Sequence, residues 1–237
     1  MRAAIEGPIA VIGAMSVEIE YLLSIMTQKL ESIQGRMVFY SGILNNTPCV
    51  AAVCGAGKVN AAAYTQAIIA KFKPRLVINI GVAGGIAPDV HIGDLVVADS
   101  CIQYDYDISA LEADRLPGDI CISGKIMTQL PCDNKASYLI AKSAAEIYDN
   151  VLRGVIVTGD SFIADSKKCQ SLHESFHALA CEMEGGSIAH VCHMNNLPVV
   201  VLRAISDNAN DIADIDFPTF AAQTAKKTQK ILSETIC

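Results

Sequence analysis

The run RLVINIGVAGG, residues 75–85, is apolar at nearly every position and ends among glycines. A strand with one wet face would alternate polar and apolar residues. This one does not, so it reads as a strand covered on both sides. Six other runs share its character: PIAVIGA (8–14), CVAAVCGAG (49–57), DLVVADS (94–100), RGVIVTGD (153–160), ALACEME (178–184) and LPVVVLRAISD (197–207). Helical stretches lie between them, at 16–29, 58–72, 134–148, 166–176, 185–195 and 217–234. In the first, Ile19, Leu22, Leu23 and Met26 form a stripe of helical period, with Ser16 placed to cap it. Alternating strands and helices predict an α/β fold on a mostly parallel central sheet. No repeat, Pro/Gly/Ser-rich linker or charge block divides residues 1–237, which predicts a single domain. The least regular segment, 101–133, is expected to carry loops.

The chain has 237 residues, of which 51% are apolar and 18% charged, and its mean hydropathy is +0.35. That composition supports a large core and excludes disordered and fibrous classes. Eighteen Lys and Arg against 25 Asp and Glu leave a net charge of -7, which argues against nucleic acid as a partner. No apolar run approaches the ~18–20 residues of a membrane helix. The first residues, MRAAIEGPIAVIGAM, lack a secretory pattern, so a soluble, cytoplasmic protein without a membrane partner is expected. The nine cysteines are odd in number and irregularly spaced, with no Cys-x-x-Cys, and are expected to be reduced and buried.

Two motifs tempt and fail. His173-Glu174-Ser175-Phe176-His177 matches the zinc-protease pattern, but an apolar strand follows at once and no third ligand has the right spacing, so no metal is expected. Gly55-Ala56-Gly57-Lys58 resembles the end of a phosphate loop. Ala52 stands where that loop needs another glycine and Val59 where it needs Ser or Thr, while Asn60 breaks the dinucleotide pattern.

Three sites strand charges in apolar surroundings. ALACEMEGG (178–186) puts Glu182 and Glu184 at the end of a core strand, on one face if the chain stays extended. In LPVVVLRAISD, Arg203 follows a run of apolar residues and Asp207 lies four further along the same face. A charge buried in a strand costs several kcal/mol unless paired, so an internal Arg–carboxylate bridge is one reading. Glu18 sits in the turn after the first strand, where an acid also suits a helix start. All three lie near C-terminal strand ends, where open α/β sheets bind ligands.

Gly13-Ala14-Met15-x-x-Glu18, Gly81-Val82-Ala83-Gly84-Gly85, Gly159-Asp160-Ser161-Phe162-Ile163, Glu182-Met183-Glu184 and Arg203-Ala204-Ile205-Ser206-Asp207 occur in order along nearly the whole chain. Together they resemble the bacterial 5′-methylthioadenosine/S-adenosylhomocysteine nucleosidase family of the nucleoside phosphorylase superfamily. The resemblance implies a three-layer α/β/α sandwich with a mixed, partly barrelled central sheet, working as a homodimer without a cofactor. It implies hydrolysis of an N-glycosidic bond, releasing adenine and a 5′-thio-ribose. Under it, Asp207, flanked by Ser206, would protonate adenine N7, and Glu18, helped by Arg203, would deprotonate the attacking water. Glu184 and the Met183 backbone, beside Glu182, would hold the ribose hydroxyls. Phe162 would stack on adenine and the Ile163 backbone would read its edge. Val82, Ala83 and Gly84 would line the site. Met15 and Phe217 would line the 5′ pocket, closed by Ile108 and Leu111 contributed across the dimer.

Three positions depart from that pattern: Val82 replaces a usual Ser or Thr, Leu111 a common aromatic, and Ala56 a larger aliphatic. A purine nucleoside phosphorylase would need arginines for its phosphate. Here the first turn carries Glu18 and Glu20, and the second position reads Val77-Ile78-Asn79-Ile80. A nucleosidase acting on aminodeoxyfutalosine could use the same residues, and a nucleoside-binding protein without chemistry would not need both Glu18 and Asp207.

Overall fold

The computed structural model describes residues 7–209 and 213–235, and in the last stretch the side chains of 220–223 and 225–235. In chain order the elements are β1 (Ile9–Gly13), a 3-10 turn (Ser16–Glu18), α1 (Glu20–Ile25), β2 (Thr27–Gln34), β3 (Met37–Leu44), β4 (Thr47–Val53), α2 (Lys58–Phe72), β5 (Leu76–Gly85) and β6 (Leu95–Gln103). There follow β7 (Ile120–Ile122), β8 (Lys125–Met127), β9 (Leu130–Pro131), α3 (Asn134–Ala144), β10 (Val151–Thr158), α4 (Ser166–Phe176), β11 (Ala178–Glu182), α5 (Gly185–Met194), β12 (Val199–Asp207) and α6 (Ala213–Thr235).

Ten strands form one mixed sheet in the order β11-β10-β6-β12-β5-β1-β4-β3-β2, with β9 beside β6 and a further pairing of β11 to β5. That last pairing closes a ring of five strands, β5-β12-β6-β10-β11. Strand β5 belongs to both parts. Its first half, Leu76–Asn79, pairs with β1, and its end, Gly84 and Gly85, pairs antiparallel with Cys181 and Ala180. The sheet is therefore mixed: β1, β4, β5 and β12 run parallel, whereas β6 meets β12 antiparallel.

Helices cover both faces, which explains the unbroken apolar strands. Ala10 and Ile12 of β1, with Val199 and Val201 of β12, pack with Ala61 and Ile68 of α2 and Ile188 and Cys192 of α5. Their alternating neighbours Ile9, Val11, Val200 and Leu202 pack with Leu22 of α1, Ile140 of α3 and Ile231 of α6. Each buried Val, Leu or Ile side chain among these contributes about 1.5–3 kcal/mol.

The expected helix over 16–29 is shorter than its pattern. The 3-10 turn and α1 end at Ile25, and β2 starts at Thr27. Met15 and Ile19, not Ser16, stand at the two N-caps, and neither makes a side-chain capping bond. The apolar stripe is nonetheless used, since Ile19, Leu22 and Met26 are buried and Leu23 packs against them. The hairpin β2–β3 has no counterpart in the expected elements. All eight described cysteines are free thiols, buried as expected except for Cys121, which is exposed. His177 lies beyond the end of α4 in a left-handed conformation, and His173 Nδ1 is engaged with the Ala178 carbonyl (2.9 Å), so the two imidazoles do not share a helix face.

Candidate active site

The C-terminal ends of β1, β5, β11 and β12 surround one cavity. Its wall includes Met15, Glu18, Val82, Ala83, Gly84, Phe162, Ile163, Glu182, Met183, Glu184 and Asp207. Ala14, Ala56, Ser161 and Cys181 complete it. Four carboxylates thus converge on a site that is otherwise mostly apolar.

Glu18 is placed by the turn after β1. Its Oε2 accepts from the N–H groups of Ala14 (2.7 Å) and Met15 (2.9 Å), and its Oε1 from the N–H of Val82 (3.1 Å). Gly81 allows this approach: a Cβ there would lie 2.7 Å from Glu18 Oε1 and 3.4 Å from the Arg203 guanidinium carbon. Burial raises the Glu18 pKa above the usual carboxylate value, opposed by Arg203 and the three amides. The result is a buried acid that holds a proton more readily than a surface glutamate and is fixed in orientation.

Arg203 is 1% exposed and lies beneath the cavity rather than on its wall. One Nη donates to Asn79 Oδ1 (2.6 Å) and to Glu182 Oε2, and lies 3.8 Å from Glu184 Oε2. The other Nη donates to the Leu202 carbonyl. Its Nε has no partner among the described residues. Removing one member of such a buried ion pair costs about 3–5 kcal/mol. The same-face relation expected for Arg203 and Asp207 does not hold. Strand β12 bulges between Ile205, opposite Ala83, and Asp207, opposite Gly84, so Ser206 is an extra residue and the alternation resets. Asp207 consequently reaches the cavity, where its Oδ1 accepts from the Ala209 N–H (2.8 Å) and its Oδ2 from Ser206 Oγ (2.8 Å). Ser206 itself is buried off the wall.

Glu182 and Glu184 also differ from their expected strand geometry. β11 ends at Glu182, and Glu184 is already the N-cap of α5. Glu182 accepts from Thr158 Oγ1, Arg203 and the N–H groups of Glu184 (2.9 Å) and Gly185 (2.7 Å). Glu184 Oε1 accepts from the Gly57 N–H (2.8 Å). Burial, and secondarily the charge of Glu182, push the Glu184 pKa up to about 7.

Phe162 is half exposed at the rim, while Ile163 is buried. Ile108 and Leu111 do not reach this chain's own cavity, and Leu111 is 88% exposed. The side chain of Phe217 lies outside the described residues. Sequence reasoning did not single out Asn79, Thr158, Cys181 or the Gly57 amide as parts of the site. Asn79 and Thr158 carried a usable signal, a lone polar side chain inside a strand buried on both faces.

A five-strand ring with its cavity at the strand ends defines the class. The family model described as the phosphorylase superfamily matches residues 8–236. Within it, the chain belongs to the 5′-methylthioadenosine/S-adenosylhomocysteine nucleosidase family. A curated member from Anoxybacillus flavithermus is 35% identical over 228 residues, covering 94% of this chain and 95% of its own. The crystal structure of the Neisseria meningitidis nucleosidase in complex with methylthio-immucillin-A matches with a TM-score of 0.91 at 33% identity, covering 97% of this chain and 98% of that one. The native structure of Helicobacter pylori futalosine hydrolase matches with a TM-score of 0.90 at 32% identity, covering 99% of both.

Proposed function

We propose that this chain hydrolyses the N-glycosidic bond of 5′-methylthioadenosine and S-adenosylhomocysteine, releasing adenine and the 5′-thio-ribose. The observation carrying this reading is the pair Glu18 and Asp207, two carboxylates from different strand ends on the wall of one cavity. As the C1′–N9 bond breaks, its electron pair leaves with adenine and positive charge grows on the ribose. Asp207 gives a proton to N7, relieving the leaving base. Glu18 takes a proton from water, whose oxygen bonds to C1′. Nearby carboxylates favour the oxocarbenium-like transition state, as in glycoside hydrolysis. Arg203 acts from beneath, through its field on Glu18 and its hold on Glu182.

Glu184 and the Met183 backbone hold the ribose hydroxyls, Phe162 stacks on adenine and the Ile163 backbone reads its edge. Met15 and Phe217 form the 5′ pocket. Ile108 and Leu111 close it from the other subunit of a homodimer, a reading supported by the exposure of Leu111, which forms no part of its own chain's cavity wall. The whole chain acts as one domain, in the cytoplasm, in methionine salvage.

The test is incubation with each nucleoside in phosphate-free, EDTA-treated buffer while free adenine is followed. Adenine should appear from both substrates. A ribose 1-phosphate product in phosphate buffer would instead indicate a phosphorylase, and loss of activity restored by zinc would revive a metal reading of His173 and His177. A second reading, hydrolysis of a futalosine-type nucleoside, is favoured by the Helicobacter pylori structural match and is decided in the same assay.

A further inference from the structure

The turn Gly55-Ala56-Gly57-Lys58 binds no phosphate pattern, yet two consecutive amides of this turn point at carboxylates from distant elements. The Gly57 N–H donates to Glu184, and the Lys58 N–H donates to Asp160 Oδ1 (2.7 Å). The Lys58 ammonium meets Asp105 Oδ1 at 2.5 Å, and Asp105 Oδ2 in turn accepts from the Asp160 N–H (3.0 Å). Lys58, Asp105 and Asp160 therefore close a ring of contacts joining the start of α2, the loop after β6 and the loop after β10. Residues 161–163, immediately after Asp160, all line the cavity. Without the ammonium, Asp105 would lose its charged partner and the ring would be held by backbone N–H donors alone.

We infer that Lys58, Asp105 and Asp160 form a latch that positions the Ser161–Ile163 wall, making Lys58 a positioning residue for the nucleoside base. The inference rests on the nucleosidase reading of the same cavity, in which Phe162 and Ile163 hold adenine. Lys58 lies off the cavity wall and takes no part in proton transfer. Its effect should fall on binding more than on turnover. Substituting Gly57, with φ of +95°, would strain the backbone and confuse the result, so the side chains are the place to test.

The experiment compares wild type, Lys58→Met, Lys58→Arg, Asp105→Asn and the Lys58→Met/Asp105→Asn double variant. In Lys58→Met, amide hydrogen exchange at residues 159–163 should quicken while that of β12 stays unchanged. KM for 5′-methylthioadenosine should rise roughly three- to tenfold, the effect of a partly exposed charged contact, with kcat little altered. Lys58→Arg should recover part of the loss, and the double variant should be no worse than Asp105→Asn. Unchanged exchange at 159–163, a fall in kcat without a change in KM, or faster exchange throughout the core would each overturn the latch. If wild type releases no adenine from any nucleoside, the functional reading fails, while the exchange comparison still decides the latch.

Discussion

Among the described residues Glu18 accepts hydrogen bonds from three backbone amides and from no side chain, so replacing it by Gln alters chemistry more than packing. An amide cannot accept the proton of water. Glu18→Gln should keep the fold and the affinity for substrate analogues while lowering kcat by at least about 10². Asp207 should depend on the leaving group instead. Adenine needs protonation, so Asp207→Asn should slow its release by roughly 10²–10⁴. A 5′-alkylthioriboside carrying nitrophenolate leaves without a proton and should suffer much less, whereas Glu18→Gln should impair both. Equal losses on the two substrates would make Asp207 a structural residue. Asp207 was legible because a charge inside an apolar strand is costly, and Glu18 because it follows directly on the end of another such strand. Asn79 and Thr158 obey the same logic but are neutral, so their partners, the Arg203 guanidinium and Glu182, emerge only once the ring brings β5, β10, β11 and β12 together.

At the scale of elements, the seven apolar strands were readable because both of their faces are covered. The β2 strand was not. It is exposed along nearly its whole length at the sheet edge, so no alternation marks it, and its first residues continue the pattern of α1. The bulge in β12 and the turn from β11 into α5 also escaped, since both depend on neighbouring strands rather than on local pattern. Thr158 shows how tightly these ends are joined. Its hydroxyl donates to Glu182 and accepts from the Gly186 N–H (2.7 Å), linking β10, β11 and α5. Thr158→Val would leave that buried amide and part of a buried carboxylate unpaired, at a cost of about 2–4 kcal/mol. The urea midpoint should fall with the slope of the transition unchanged; an unaltered midpoint would show that the hydroxyl is dispensable.

For the molecule as a whole, helices on both sheet faces follow from strand pattern, whereas ring closure does not, because it rests on two residue pairs between β5 and β11. Concentrating acids at that closure has a pH signature. The Glu184 pKa is raised from 4.5 to about 7 in the folded chain, so between those values the fold retains a proton that the unfolded chain has lost. This contribution to stability is full below the unfolded value and disappears as pH rises through about 7. The Tm of the ligand-free protein should therefore fall between pH values of about 5 and about 7.5, and Glu184→Gln should flatten that slope. A slope identical in the variant would remove Glu184 as its cause. The buried thiols also give the protein a chemical clock. Burial holds Cys49 and Cys54 near pKa 12 and raises Cys192 as well, while Cys101 is raised by its hydrogen bond with Cys132 and by burial, so both access and thiolate are withheld while the strands stay closed. A brief pulse of an alkylating reagent would mark these positions only in molecules that had opened. The mass of the labelled chain then counts unfolding events one molecule at a time, with no dye or tryptophan needed.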